Sequence, residues 1–360
     1  MNRTTVRVVA WEFSRRGGIE EVSRQVAETI RGSGAHRLEV FKFPKGNKLA
    51  FLAKRWIEMT LEREAIYFFM HPYIFEQFRD IWSQSDAPPA VVWAHGIEVW
   101  GNFGRTHASA LPLASKIVAS STYTKERVLE NFPEANVSVA PLAVHCDPAY
   151  HYRSAEQPFE LVTVGRLAGK ERYKGHDLML EALAFLKHKG RVIHYNVVGS
   201  GDDLGRLQLR AAELGIAEQV LFLGYLPDRD AEKVYARSSV FAMPSHVIKR
   251  DSELWSGEGL GLVYLEAAGH GLPVIACDEG GQRDCVINGK TGFLVRPDPR
   301  EIAAKIEYLM DNREECRKMG EEGRRFVARN FTAKKFRGSV LDAVKEAAGL
   351  RHGTEYSKVN

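Results

Sequence analysis

At 360 residues, with 44% hydrophobic and 27% charged side chains, the chain is long enough for two ordinary globular domains, each with a core of its own. A formal net charge of +4 and a pI near 8.7 suit anionic ligands or a membrane surface, and are too weakly basic to argue for nucleic acid. Cys146, Cys277, Cys285 and Cys316 contain no Cys-x-x-Cys pair and read as reduced structural thiols of a cytoplasmic protein rather than a metal site. Arg7, Glu12, Arg15 and Arg16 interrupt any signal-type apolar core, and no apolar run reaches membrane-spanning length.

Residues 6–11 (VRVVAW) predict a buried parallel strand. After Ser14-Arg15-Arg16 come Gly17-Gly18 and an amphipathic helix over 19–31, with Ile19, Val22, Val26 and Ile30 on one face. The Gly-Gly turn either lets backbone approach a phosphate or is a tight turn with no ligand. No Gly-x-Gly-x-x-Gly is present, so a dinucleotide fingerprint is not supported. A strand over 37–43 precedes a helix over 47–63, where Leu49, Phe51, Leu52, Trp56, Ile57 and Met59 alternate with Lys45, Lys48, Lys54 and Arg55. Such a helix suits a membrane interface; an ordinary surface helix packed on the sheet is the simpler reading. Strands over 66–70 and 90–94 end in His71-Pro72-Tyr73 and His95-Gly96. Open α/β sheets bind ligands just beyond the carboxyl ends of their strands, so His95 is a site candidate, with a structural histidine as the competing reading. A strand over 116–119, a helix capped within 120–122 and running to 132, and a strand over 137–140 close the first block.

The polar, proline-containing stretch 149–158 marks a domain boundary, with a first domain over 1–155 and a second over 156–330. Strands then fall at 161–165, 195–198, 220–223, 240–243, 273–276 and 292–295, with helices at 177–189, 203–214 and 229–238 and from about 261. Helices dominate 299–348, and the tail beyond 350 reads as frayed. The alternation predicts a parallel sheet with helices on both faces, twice over. Within 256–269, Glu258 sits in a Gly-rich loop (Gly257, Gly259, Gly261) just before a helix, and Glu266 lies inside that helix. The helix start and its carboxylates suit an anionic or polyhydroxylated ligand; an acidic capping region and one solvated Glu is the alternative. Arg166 offers a planar bidentate contact and Lys174 a mobile point charge, a pair suited to a pyrophosphate, unless both belong to a solvated basic turn with Lys170 and Arg172.

Taken together the motifs resemble those of the family 4 glycosyltransferases of GT-B fold, a retaining group. They are Gly17-Gly18, Gly165-Arg166-Leu167 with Lys174-Gly175, Val198-Gly199-Ser200-Gly201, Glu258-x7-Glu266 continuing into 271–276, Gly280-Gly281, and Gly289-x-x-Gly292. The resemblance spans nearly the whole chain and is strongest in its second half.

It implies two Rossmann-like domains facing across a cleft. The first binds an acceptor and the second a nucleotide sugar, and a last helix over 331–350 crosses back to the first. His95, Arg166, Lys174 and Glu258 would serve the reaction, the two cations neutralising the diphosphate and Glu258 contacting the transferred sugar. Gly17, Gly18, Gly199, Gly201, Gly224, Tyr225, Gly259, Leu260, Gly261 and Leu262 would line the donor, and Glu266 would hold its ribose hydroxyls. No metal or cofactor is called for beyond a donor such as GDP-mannose or a UDP-sugar. A glycan or lipid-linked acceptor is expected, with peripheral contact of 47–63 at the inner face of the plasma membrane. An epimerase or phosphorylase on the same fold, or a non-catalytic sugar-nucleotide-binding module, is the alternative. Two departures stand out. The Arg166–Lys174 spacing is longer than usual, which makes Lys170 a rival, and 140–145 lacks the Asn-Gly and Asp of many relatives.

Overall fold

The computed structural model describes residues 3–11, 17–44, 48–144, 158–250 and 254–356. Lys45, Asn47, Glu12, Ser14–Arg16, Cys146 and most of the expected boundary stretch 149–158 lie outside them. The chain divides into two compact units: Met1–Leu142 with Lys249–Trp255 and Ala333–Asn360, and Ala143–Ile248 with Ser256–Thr332.

The first unit is built on β1 (Thr4–Trp11), β2 (His36–Phe43), β3 (Ile66–Phe69), β4 (Ala90–Ala94), β5 (Lys116–Ala119) and β6 (Val137–Val139). They form one parallel sheet in the order β2-β1-β3-β4-β5-β6. Val6, Val8 and Val9 are fully buried, as a strand covered on both faces requires. Arg7 lies buried between them, and its charge is met by Glu39 at 2.9 Å, the Tyr67 hydroxyl at 2.8 Å and Glu62. Helix α1 (Gly18–Gly32) buries Val22, Val26 and Ile30 and carries Glu20 and Glu21 in its first turn, where the helix dipole favours them. Helix α2 (Leu49–Leu61) packs on the sheet through buried Met59 and through Phe51, 5.4 Å from Phe43 of β2, and leaves Leu49, Trp56, Ile57 and Leu61 on the surface. Three short helices follow that periodicity did not predict: α3 (Pro72–Glu76), α4 (Arg79–Trp82) and α5 (Gly101–His107). Each is too short to show a helical period, although Pro72 at the first position of α3, capped by His71, is a helix-start signal. α6 (Thr122–Asn131) is capped by Ser121, whose hydroxyl accepts the Thr124 N–H at 3.1 Å.

In the second unit β7 (Glu160–Val164), β8 (His194–Val198), β9 (Val220–Gly224) and β10 (Val240–Ala242) alternate with α7 (His176–His188), α8 (Leu204–Glu213) and α9 (Asp228–Arg237). Two strands, β11 (Ile248–Arg250) and β12 (Leu254–Ser256), pair as a small sheet of their own where a plain loop is expected, and residues 249–255 group with the first unit. Helix α10 (Leu262–Gly269), β13 (Val274–Cys277), β14 (Gly292–Val295), α11 (Pro299–Asp311) and α12 (Arg313–Asn330) complete it. The parallel sheet runs β14-β13-β10-β7-β8-β9, and one core cluster extends from Leu161 and Leu183 through Ile275 to Ile306 and Met319. Cys277, Cys285 and Cys316 are free and buried.

The two sheets differ in strand order. In the first the winding reverses between β1 and β3, in the second between β7 and β10, and these reversals set where each sheet opens a crevice at its carboxyl edge. The last helix, α13 (Ala333–Tyr356), groups with the first unit and runs past residue 350, where the sequence reads as frayed. Phe336, Val340, Val344 and Ala347 on it are buried; Phe336 packs 5.9 Å from Trp93, and Lys116 pairs with Glu346 at 2.6 Å.

Helix α12 passes close to the end of α10, so that a Cβ at Gly320 would stand 1.9 Å from the Gly271 carbonyl oxygen, whereas one at Gly338 on α13 would meet nothing within 4 Å. Gly320→Ala should cost about 3 kcal/mol by overpacking. Gly338→Ala should be neutral or stabilising by up to about 1 kcal/mol. Thermal or urea unfolding of the two variants side by side checks this, and equal midpoints would refute it.

Candidate active site

At the crevice of the second sheet, β7 ends at Gly165-Arg166 and β10 at Met243-Pro244-Ser245. Residues Gly169–Lys174 wind into a 3-10 turn, which turns the extra residues between Arg166 and Lys174 back on themselves. Glu171 in that turn is buried and accepts an ion pair from Arg166 at 2.7 Å, while the Arg166 side chain remains 73% exposed. At the end of the turn Lys174 is buried and pairs with Glu258, the two side chains 10% and 13% exposed. Lys170 points outward and is exposed. Of the two rival lysines, therefore, Lys174 is the one brought against Glu258.

Both members of that pair hang from the exit of β10. On the lysine side the Tyr173 carbonyl accepts the His246 N–H at 2.9 Å, and a Cβ at Gly175 (φ +79°) would stand 2.3 Å from the Pro244 oxygen. On the glutamate side Tyr264 donates to the Met243 carbonyl at 2.8 Å, and Gln282 donates to the Ser245 carbonyl at 2.6 Å. Beneath Glu258, Gly281 N–H donates to its carbonyl at 2.8 Å, and a Cβ at Gly281 would lie 1.9 Å from the Gly259 oxygen. Helix α10 begins with Gly261 at φ +87°, which has no side chain to cap the first-turn N–H groups. Leu260 is buried, while Gly259, Gly261 and Leu262 are half-buried.

Glu266 faces a different set of neighbours, with Tyr235 donating to it at 3.5 Å. Burial first, and then the nearby Asp228, push its carboxyl above the ordinary range. Asp228-Arg229-Asp230 has the Asp-x-Asp spelling, but it forms the first turn of α9, and Asp230 bonds Lys233 at 2.7 Å. Among the described residues no three His, Cys, Asp or Glu gather round a common point.

Gly199 and Gly201 pack against the Arg166 loop. Their Cβ atoms would lie 1.8 Å from the Gly165 oxygen and 1.9 Å from the Leu167 oxygen, and Gly165 and Leu167 donate to Val198 and Ser200. Close approach of backbone to backbone therefore already accounts for both glycines. The Gly224 carbonyl accepts the Gly199 N–H at 2.8 Å, and Tyr225 beside it is exposed.

In the first unit His95 sits at the exit of β4, its Nε2 2.8 Å from the Met70 carbonyl oxygen. Burial lowers its pKa, opposed by Glu98 and Glu20. Gly17 precedes α1, with the Glu20 carboxylate so near that a Cβ on Gly17 would meet it at 2.5 Å; Gly18 has open space. Sequence reasoning missed Glu171, Tyr235, Tyr264 and Gln282, none of which belongs to a motif. It also passed over His71, which carries the same strand-exit signal as His95.

Residues 151–326 match the family described as Glycosyl transferases group 1. That stretch, just under half of the chain, belongs to the family. The chain is 31% identical over 231 residues to the GDP-mannose-dependent alpha-(1-6)-phosphatidylinositol monomannoside mannosyltransferase of Mycolicibacterium smegmatis, over 61% of its own length and 59% of the relative's. It is 34% identical over 161 residues to the D-inositol 3-phosphate glycosyltransferase of Corynebacterium jeikeium, over 42% of this chain and 36% of that one. The matches thus span less than two thirds of these relatives. Among solved structures, Anabaena HepE in complex with UDP superposes with a TM-score of 0.75 at 17% identity, covering 95% of this chain and 100% of that one. A glycosyltransferase of Rickettsia africae gives 0.73 at 21%, covering 96% and 99%. The fold is GT-B.

His176, next to Lys174, is buried, and neither ring nitrogen has a partner of normal hydrogen-bond geometry among the described residues, although the ring lies against the Arg166 backbone. Burial, reinforced by Lys174, pushes its pKa down to about 4. As pH falls from about 6.5, the unfolded chain takes up a proton that the folded chain refuses until about pH 4, so stability is lost across that window, by about 3 kcal/mol for this one residue. His176→Leu should shrink the loss of Tm between pH 7 and pH 5. An undiminished loss would show that His176 is charged in the folded protein.

Proposed function

We propose that the chain is a retaining glycosyltransferase that moves a hexose from a nucleotide diphosphate sugar to a glycan or lipid-linked acceptor. The observation that carries this reading is the Lys174–Glu258 pair, one cation and one carboxylate brought together at the crevice of the second sheet beside the Arg166 loop. A nucleotide sugar presents complementary groups to each. Its diphosphate takes the place of Glu258 on Lys174 and meets the exposed Arg166, and its sugar hydroxyls donate to the released Glu258 carboxylate. The backbone of residues 259–262 faces the same ligand at the start of α10. As the sugar–phosphate bond breaks, the growing negative charge on the leaving diphosphate is stabilised by Arg166 and Lys174. The acceptor hydroxyl bonds to the anomeric carbon on the face the diphosphate leaves, and its proton passes to a phosphate oxygen. Glu266, with Tyr235, holds the ribose hydroxyls.

For the donor, the Mycolicibacterium smegmatis relative is named for GDP-mannose and a solved neighbour holds UDP, so GDP-mannose is the first choice and UDP-glucose the second. For the acceptor, the exposed Leu49, Trp56, Ile57 and Leu61 of α2, with Lys54 exposed on the same helix, support peripheral contact with the cytoplasmic face of an anionic membrane. Among the described residues no helix is long and apolar enough to cross a membrane.

A screen of GDP-, UDP- and ADP-sugars for hydrolysis or transfer tests the reaction. Arg166→Ala and Lys174→Ala should each cut turnover about a hundredfold, or about 3 kcal/mol, and Glu266→Ala should raise the donor KM. Wild-type rates in all three variants would refute the assignment. In flotation with vesicles containing phosphatidylglycerol, the protein should rise with the lipid, and Ile57→Asp with Leu61→Asp should keep it in the soluble fraction. A wild-type protein that never floats would remove the membrane contact.

A further inference from the structure

We propose that Glu171 sets how tightly the site keeps its product. It holds Arg166 from behind and offsets part of that cation's charge, so that a nucleoside diphosphate is let go once the sugar has been transferred. The proposal rests on the glycosyltransferase reading and adds a positioning residue that lies outside every motif.

The segment from Arg166 to Lys174 reads as basic, yet its principal cations are already met by carboxylates. Arg166 pairs with Glu171 at 2.7 Å, Arg172 with Asp203 at 3.1 Å, and Lys174 with Glu258. Glu171 and Asp203 are buried, while the side chains of Arg166 and Arg172 reach into solvent. The negative charge therefore lies behind and the positive charge in front. The turn itself fixes Glu171: its N–H donates to the Ala168 carbonyl at 2.7 Å, and the Gly169 N–H donates to Asp202 at 2.8 Å. Glu171 Oε1 takes the contact with Arg166, whereas Oε2 is buried with no hydrogen-bond partner among the described residues. An unsatisfied buried oxygen costs stability, so hydrogen bonding alone does not account for a carboxylate at this position. What it supplies beyond a neutral acceptor is charge. Tyr173 senses the same grouping: burial pushes its pKa up, Glu258 and Glu171 add to the rise, and Arg166 opposes it.

That charge matters because donor and product differ in theirs. The diphosphate of a nucleotide sugar has one ionised oxygen on each phosphate. Once the sugar has left, the terminal phosphate ionises again at about pH 6, so at neutral pH the product carries one more negative charge than the donor did. Cations with nothing behind them would hold the more highly charged product harder than the donor, and it would leave slowly. A fixed carboxylate behind Arg166 repels any anion in front of it in proportion to the anion's charge, so it weakens the product's hold most. The same contact ties down one terminal nitrogen of Arg166, which sets the plane of the guanidinium for a bidentate contact with a phosphate.

Glu171→Gln keeps the length of the side chain and an acceptor for Arg166 but removes the charge. Calorimetric titration with GDP against GDP-mannose, and with UDP against UDP-glucose, reads the ratio of product to donor affinity without turnover. At pH 8 that ratio should rise about tenfold in the variant, the size expected for one unit charge acting on another across a partly solvated guanidinium. At pH 5 product and donor carry nearly the same charge, and the rise should vanish, whereas a merely structural defect would show at both pH values. Glu171→Asp keeps the charge and draws it back by one methylene. It should weaken donor and product alike and leave their ratio as in the wild type. An unchanged ratio in Glu171→Gln, a rise that survives at pH 5, or a shifted ratio in Glu171→Asp would overturn the proposal. Any of these beside measured glycosyl transfer leaves the glycosyltransferase reading intact. A wild-type protein that binds none of the four ligands would overturn both.

Discussion

The second unit depends on the three carbonyls at the exit of β10. Met243, Pro244 and Ser245 meet, in turn, the Tyr264 hydroxyl, the bare backbone of Gly175 and the Gln282 amide. Lys174 and Glu258 are 84 positions apart in sequence, and these carbonyls tie their two loops to one strand end. A side chain at 175, or an apolar residue at 282, would leave one loop free of the other. A buried ion pair is unforgiving of such slack, because its attraction offsets the loss of hydration only while both charges are held in register. Lys174 and Glu258 are thus held in place and satisfied by each other.

A second constraint is steric. At the β7 and β8 exits, as under Glu258, backbone runs so near backbone that only glycine fits. Gly199 and Gly201 let the Arg166 loop lie flat against the end of β8, and Gly281 lets the loop around Gly259 settle onto the end of β13. Placing the cation and the carboxylate is therefore partly the task of residues with no side chain at all.

Much of this was legible in the sequence. Continuous valine-rich runs gave parallel strands, and a shift of period gave the helices between them, because burial on both faces leaves so strong a pattern. Arg166, Lys174, Glu258 and Glu266 stood out because they sit where strands end and helices begin. What escaped had no local signature. Glu171 lies in a turn that looks like a basic loop, and only the fold shows that it anchors Arg166. Gln282 and Tyr264 act through distant carbonyls. α2 has an amphipathic pattern, but the pattern does not say how its apolar residues divide, and in the structure Phe51 and Met59 turn to the sheet while Trp56, Ile57 and Leu61 face out. The pairing of β11 with β12 rests on three residues a side, too few for a period to register.

The first unit is discontinuous: its sheet is made from residues before 143, but Phe336, Val340, Val344 and Ala347 of α13 are part of its buried core. On a ribosome the six strands of that sheet emerge early, yet the surface they leave uncovered waits for some two hundred further residues. The second unit, made later, has its whole core in hand once α12 is out. The second unit is therefore the first able to close, and the first-begun unit completes its core only when α13 has emerged.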